Sequence, residues 1–347
     1  MKFGVFRYIS LAAMLALATL SVVAQDVPPP LPGTMVIEGM VAPRGIAFDG
    51  FGNLIVTDAG SGGENSMDVP SLEDSTVIAT ILFGLTGSVQ VVSQDGSVAP
   101  WLVGLPSYAG PTETTGVYRA IPHENSLWLV VSSNGQAGGY WGSSVVELDG
   151  ATLMTKTVIN LTGSEFANNP DGNELDSNAT DIAWGADGTL YIVDAGGNTL
   201  YSWTADGGLV IVQTWPDNSV PDSIEIAENG DFYIGFLGVG IAPGAAKIEH
   251  WSEGELVETF GGLNGITDIL LDGDILYAVE MANFAEGPIS GRVLMIDADG
   301  TVTPIATGLN APFALAKDAD GGLYVSIGTL FFGPDLPSGV LKLDMPE

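Results

Sequence analysis

The chain contains no cysteine, so disulfides, thiol nucleophiles and cysteine-held metals are all excluded. Histidine is almost as scarce, with only His123 and His250. Neither has a nucleophile in its sequence context and no Gly-x-Ser-x-Gly elbow occurs, so serine hydrolysis has no support. Basic residues are few: nine Lys and Arg stand against 42 Asp and Glu, a net charge of −33. Such a surface repels phosphate backbones and anionic lipid, which excludes nucleic acid and anionic membranes as partners. The same carboxylates favour solubility in salt and attract divalent cations. Beyond residue 24 no amphipathic helix of useful length can be read from the apolar pattern. The glycine-rich segment Gly238 to Gly244 is followed by no helix, so it is a loop and not a nucleotide-binding turn.

One apolar run stands apart. Tyr8 to Ala24 carries no charge, follows the basic start Met1 to Arg7, and closes in Val22-Val23-Ala24 before Gln25. This is the pattern of a cleavable secretory signal over residues 1–24, implying export to the periplasm or the exterior. As a membrane anchor the run would sit at the short end of the ~17–25 residues required. Loss of Lys2 and Arg7 leaves seven basic residues against 42 acidic ones and takes the net charge from −33 to −35. Residues 25–34 then form a proline-rich leader, and residues 35–347 a single domain.

What fills that domain is a repeated unit. A short apolar strand runs into an Asp/Asn/Gly turn and a second strand, as in Gly45 to Phe48, Asp49 to Asn53, and Leu54 to Val56. The unit recurs around Leu127, Leu190, Phe232, Leu276 and Leu323, at spacings of 73, 63, 42, 44 and 47 residues. Asp-Gly and Gly-Gly at the turns supply the positive φ of tight hairpins. Four short strands every 40–50 residues or so describe a β-propeller blade, and six units predict an all-β, six-bladed ring. The last unit runs out of chain after Val340 to Asp344, so Met35 to Gly39 is expected to supply its outer strand and close the ring.

Insertions mark one face. Gly60 to Leu85 is a long acidic segment, expected to be unstructured, and shorter insertions lie at Asn134 to Gly142, Gly238 to Gly244, Asn283 to Gly291 and Gly328 to Gly339. Each follows the second strand of its blade, so all emerge together. Long loops gathered on one side of a rigid scaffold are the usual place for binding.

Several polar residues are candidates for chemistry. Asp181, Asp222 and Asp268 open the inner strands of consecutive blades, where carboxylates could converge on the central channel. Convergent oxygens suit a hard cation such as Ca²⁺, while the alternative is that each aspartate caps its own turn. Arg44, Tyr118 and Arg119 start inner strands too, and a guanidinium there can pair with an aspartate or bind a ligand carboxylate. A second calcium candidate is the loop Asn169, Asp171, Asn173 and Asp176, with near-alternate oxygens but without the spacing and final Glu of an EF-hand. Asp58, Asp194 and Glu280 end second strands, and acids there are expected to bind the backbone amides of the turn that follows. Trp128, Trp184 and Trp203 are expected between blades as core.

The motifs Asn168-Asn169-Pro170-Asp171-Gly172, Asp176-Ser177-Asn178 and Val193 to Asn198 resemble those of the ScyD/ScyE family of secreted bacterial propeller proteins. Pro43-Arg44-Gly45, Ala59 to Gly63, Leu85 to Val89, Gly104 to Ser107 and Pro243 to Lys247 extend the resemblance over nearly all of the domain. It implies an extracytoplasmic six-bladed propeller of the NHL and TolB-like kind, and no reaction is attached to the family. The chain departs from the family at Asn178 to Asp181, where Asn-Pro-Tyr-Gly is common, and at Gly116 to Arg119, where Gly-Pro-His-Asp-like segments occur. The channel acids are also similar to the metal ligands of lactonase-type propellers. The expectation is therefore a monomeric module binding a small molecule or an extracellular partner on the long-loop face. The alternative is a calcium-dependent hydrolase or lyase using the acids at the channel mouth.

Overall fold

The computed structural model describes residues 30–70, 78–111, 113–133, 142–287, 289–330 and 336–345. The expected signal and most of the leader lie outside these residues, as do 134–141, 288 and 331–335 within the expected insertions.

Strand β1 (Gly33–Glu38) comes first. It is followed by β2 (Pro43–Phe48), β3 (Leu54–Asp58), β4 (Asn65–Pro70), β5 (Ile78–Val92) and β6 (Val98–Ala109). Next are β7 (Thr114–His123), β8 (Ser126–Val131), β9 (Ser144–Asp149) and β10 (Thr155–Asn160), then helix α1 (Leu161–Asn168). Three regular groups follow: β11 (Ala179–Trp184) to β14 (Gly208–Thr214), β15 (Pro221–Ile226) to β18 (Glu255–Leu263), and β19 (Ile266–Asp272) to β22 (Val302–Leu309). Within them lie β12 (Leu190–Asp194), β13 (Thr199–Thr204), β16 (Phe232–Phe236), β17 (Ala246–Ser252), β20 (Ile275–Glu280) and β21 (Gly291–Ile296). The chain ends in β23 (Leu315–Lys317), β24 (Leu323–Ile327) and β25 (Gly339–Leu343).

Among the described residues all strand pairing is antiparallel, and the strands form five sheets, none closed on itself. Three are four-stranded meanders, β11 to β14, β15 to β18 and β19 to β22. The fourth has the order β1-β25-β24-β23, with Gly33 opposite Leu343 and Glu38 opposite Gly339. The fifth is nine-stranded, because Ser107 to Ala109 at the end of β6 pair with Thr114 to Gly116 of β7 and fuse two meanders. The hairpins turn where glycine permits positive φ, as at Gly52 (80°) and Gly188 (83°). At the second of these Asp187 accepts hydrogen bonds from the Thr189 N–H and hydroxyl.

Two expectations about irregular segments are corrected. In the insertion from Gly60 to Leu85, residues 71–77 lie outside the described residues, but the flanking parts are not an unstructured loop: β4 pairs with an elongated β5, Asn65 opposite Phe83 through Pro70 opposite Ile78. Val69, Ile78, Ile81 and Phe83 supply the β-branched and aromatic residues that the acidic composition obscures. A helix also interrupts the strands. Asn160 caps α1 through its side chain, accepting from the Gly163 N–H, and Asn169 ends the helix in the left-handed conformation.

The first strands of the meanders pack in a circuit: β2 on β7, β7 on β11, β11 on β15, β15 on β19, β19 on β23 and β23 on β2. Close approach requires Gly45, where a Cβ would lie 2.4 Å from the Tyr118 carbonyl oxygen. Apolar clusters fill the space between adjacent sheets, and the tryptophans lie there as expected. Trp128 meets Trp184 and Trp203 edge to face, with ring centroids 5.9 and 6.1 Å apart.

Candidate functional site

Each first strand begins at the end of its sheet where the second strand finishes, so Ala179 lies opposite Asp194 and Ile266 opposite Glu280. The insertions therefore share a face with the starts of the first strands. Those starts are bulged at corresponding places: between Pro43 and Ile46, Val117 and Arg119, Ala179 and Asp181, Pro221 and Ser223, and Ile266 and Asp268. A bulge re-aims the side chains beside it. The six residues expected at the channel mouth, Arg44, Tyr118, Arg119, Asp181, Asp222 and Asp268, all lie at or beside these bulges, and all are buried.

Arg119 is the centre of the deeper group. Its Nη1 and Nη2 donate to Asp268 Oδ2 and Oδ1 at 3.1 and 2.7 Å, a bidentate fork, and its Nε lies 3.2 Å from Asp181 Oδ1. Backbone amides supply the other donors. Ile182 N–H donates to Asp181 Oδ1 at 2.9 Å, Ile224 N–H to Asp181 Oδ2 at 3.0 Å, and Leu315 N–H to Asp268 Oδ2 at 2.6 Å. Burial holds the Asp181 carboxyl up at about 6 although Arg119 opposes it. Asp181 and Asp268 thus spend their oxygens on a guanidinium and three amides, and each ties first strands of different sheets together.

This arrangement does not fit a channel cation. Of the candidate metal set Asp181, Asp222 and Asp268, the first and last are met by a positive charge that the protein itself provides, while Asp222 lies outside that pairing. Among the described residues no three acidic or histidine side chains are grouped to hold a metal ion.

The loop set fails for a different reason. Asp171 Oδ1 accepts from the Asn173 N–H, and its Oδ2 from the side-chain amides of Asn173 and Asn198. Asn169 Oδ1 accepts from the Gly172 N–H while its amide donates to the Asn173 carbonyl. Asn169, Asp171 and Asn173 fasten the loop to itself and to the next sheet, leaving only Asp176 of the expected four.

The shallower group lines a cavity of about 100 Å³ on the insertion face, walled by Arg44, Glu113, Tyr118, Asn178, Asp222 and Phe313 among others. Arg44 Nη2 donates to Glu113 Oε1 (3.1 Å) and the Thr114 carbonyl (2.6 Å), and its guanidinium lies 4.5 Å from the Tyr118 ring centroid and 4.8 Å from that of Phe313. The Tyr118 hydroxyl donates to Glu113 Oε1 at 3.0 Å. Three groups here have no partner among the described residues. Arg44 Nε and Asn178 Oδ1 are buried without one. Asp222, 5% exposed, has no hydrogen bond or ion pair among those residues either. Burial raises its carboxyl well above the usual carboxylate range, against the pull of Arg119 and Arg44. Burial thus favours its neutral form, which can donate one hydrogen bond and accept another.

Glu113, Asn178 and Phe313 were not singled out from the sequence as site residues. Asn178 is one position within the departure from the family pattern, and the other two follow no repeat. Of the acids ending second strands, Asp58 and Asp194 bind amides of the turn that follows, as expected, and Glu280 does not. Asp58 accepts from the N–H groups of Val41, Ala42 and Gly60, Asp194 from Asn178 and Gly197, and Glu280 from Asn264. Asp58 and Asp194 thereby join the turn to the segment leading into the first strand, whereas Glu280 joins that segment to Arg292 of β21.

No protein-family model matches the chain, and no curated protein does. Solved structures similar to it include a putative oxidoreductase (glucose dehydrogenase) from Thermus thermophilus, 14% identical, covering 90% of this chain and 100% of that one at a TM-score of 0.56. The calcium-binding protein regucalcin from Agrobacterium tumefaciens is 13% identical over 91% and 94%, TM-score 0.56. A streptogramin B lyase is 13% identical over 92% and 96%, TM-score 0.53. At such identity the likeness establishes the fold alone, a β-propeller of the regucalcin, gluconolactonase and streptogramin lyase kind.

Proposed function

We propose that this chain is an exported, monomeric propeller of the ScyD/ScyE type whose domain spans residues 35–347 and binds a small polar molecule in the cavity beside Asp222. In this reading the nine-stranded sheet counts as two blades joined at β6 and β7, the ring has six blades, and β1 closes it beside β25. The observation that carries the binding role is the trio of partnerless groups around one cavity. A buried polar group without a partner costs about 1–3 kcal/mol. Arg44 Nε offers a donor, Asn178 Oδ1 an acceptor and neutral Asp222 both, which matches a hydroxyl-and-carbonyl ligand such as a hydroxy acid or a lactone.

An enzyme reading stands second. Asp222 as general acid beside Tyr118 would suit a hydrolase or lyase, and similarly shaped propellers bear the names gluconolactonase and streptogramin B lyase. Calcium at Asp181 and Asp268 has no place in it, because Arg119 occupies those carboxylates.

The test is a thermal-shift and saturation-transfer NMR screen with small hydroxy acids, lactones and sugars on the wild type and Asp222→Leu. The expected result is hits that stabilise the wild type and are lost in the variant, whose unliganded melting temperature is unchanged or higher. Hits that bind both proteins equally place the site elsewhere, and consumption of a hit by the wild type alone favours the enzyme.

A further inference from the structure

Helix α1 presents an unusual side chain. Glu165 is 0% exposed, and neither of its carboxylate oxygens has a hydrogen-bond partner among the described residues. Asp176, eleven residues on, has its Oδ1 buried and equally without a partner. Both acids lean on one glycine pair at the end of β12. A Cβ on Gly196 would lie 3.0 Å from Asp176 Cγ, and one on Gly197 would lie 2.9 Å from Glu165 Oε2. Asp194 Oδ2 stands 3.4 Å from that second position. The missing side chains make the room that the carboxylates use.

The charges bearing on Glu165 are all negative: Asp194 from β12, and Asp171 and Asp176 from the segment between α1 and β11. Asp194 and Asp171 are satisfied by amides and a hydroxyl. Both Glu165 oxygens and Asp176 Oδ1 are not, and burial lifts the two carboxyls to about 8 and about 6, the second against a backbone hydrogen bond from Ser177. Protonation would neutralise each acid, but among the described residues no N–H or O–H donor reaches the oxygens left over. A cation needs oxygens alone, and Glu165 Oε1, Glu165 Oε2 and Asp176 Oδ1 are left without partners beside the same glycine pair.

We infer that Glu165 and Asp176 hold a calcium-sized cation over the Gly196-Gly197 turn, at the root of the segment that leads from α1 to Asn178. Two carboxylates supply three oxygens, and backbone carbonyls and water would complete the roughly 6–8 that calcium takes. A pair of acids in place of a trio is consistent with the lack of any three-acid group among the described residues. The site differs from the loop candidate in its principal ligand: Glu165 enters, while Asn169, Asp171 and Asn173 drop out. It is also independent of the Asp222 cavity, so either proposal can fail alone.

The experiment uses the full exported chain, freed of metal with EDTA, dialysed, and titrated with CaCl₂ at about 0.15 M NaCl, where diffuse attraction to the acidic surface is largely screened. Calorimetry is expected to give one ion per chain, with a melting temperature that climbs with the logarithm of calcium concentration above the dissociation constant. Glu165→Gln keeps the shape, so its metal-free form should melt no lower than the wild type while its calcium affinity falls at least tenfold. Asp176→Asn should show the same loss, and Asn173→Ala should retain the wild-type response. A wild-type melting temperature indifferent to calcium and EDTA overturns the inference, as does a calcium response that survives Glu165→Gln intact.

Discussion

Replacing Arg119 by methionine is the sharpest perturbation of the axial group. The substitution keeps most of the volume and leaves Asp181 and Asp268 buried, their side chains 8% and 4% exposed. Breaking a buried pair by removing one partner costs about 3–5 kcal/mol. Here the three backbone amides remain as donors, so the loss should fall near the lower end, about 3–4 kcal/mol. With an unfolding entropy of ~2.1 cal/mol/K per residue over about 310 residues, 1 kcal/mol corresponds to roughly 1.5 °C, so melting should drop by about 5–6 °C at pH 7.5. Arg119→Lys keeps the charge but not the fork, and should lose about half as much. The deficit also has a pH signature, because protonating the stranded carboxylates relieves it. Calorimetry at pH 7.5 and 4.5 should show the gap between wild type and Arg119→Met narrowing in acid. A variant within a degree of the wild type at pH 7.5, or a gap that does not change with pH, refutes the claim that Arg119 is held by charge and not merely by packing.

Glu225, on β15 close to the axial pair, gives a second pH effect: burial, reinforced by Asp181 and Asp268, lifts its carboxyl to about 8. The folded state then binds a proton that the unfolded state has released between about pH 4.5 and 8, so stability falls as pH rises through that window, by up to ~1.4 kcal/mol per unit. Glu225→Gln should flatten that part of a urea-unfolding profile, and an unchanged slope would show that the group ionises freely. Removal of β1 tests the outer strand beside β25: a chain beginning at Gly39 uncovers the wholly buried Val340 and Leu341 and should melt several degrees below one beginning at Pro30. Equal melting temperatures would mean that β1 contributes nothing to the last sheet.

The strand pairs were legible because a hairpin writes itself into adjacent residues: an apolar alternation, an Asp-Gly turn, and a second alternation. The turn-binding acids Asp58 and Asp194 were legible for the same reason, since their partners lie a few residues away or at the start of the same sheet. The bulges were not, because they depend on which residue opposes which across the ladder, and they decide that Tyr118 and Arg119, neighbours in sequence, serve two different groups. The sequence also placed Arg119 and three acids near one another without deciding between a metal and a guanidinium; the 2.7 Å contact to Asp268 decides it. Helix α1 was missed because eight residues are too few for a 3.6-residue period to stand out, and with it went Glu165. The calcium-like spacing of Asn169, Asp171 and Asn173 misled because asparagine amides donate as readily as their carbonyls accept, and the loop satisfies itself.

The position of Arg119 also bears on how any ligand reaches the protein. The guanidinium and its two carboxylates separate two axial spaces: the cavity of about 100 Å³ beside Asp222 on the insertion face, and a hollow of about 300 Å³ on the opposite face lined by Arg119, Asp181, Asp268 and Glu225. In the second space the axial charges are already paired with one another. The first is lined by Arg44, Asn178 and Asp222, and there Arg44 Nε and Asn178 Oδ1 are buried without partners among the described residues. On the proposed reading a ligand arriving from the insertion face would meet these groups and stop at the Arg119 layer, so the site would select for small size as well as for polarity. A passage through the ring would require breaking the fork on Asp268, the interaction that the Arg119 variants weigh. If Arg119→Lys loosens that layer while leaving Asp222 in place, ligands found with the wild type should still bind, and longer homologues that the wild type rejects should gain affinity. Unaltered size selectivity in a destabilised Arg119→Lys protein would locate the floor of the cavity in the apolar wall around Phe313 instead.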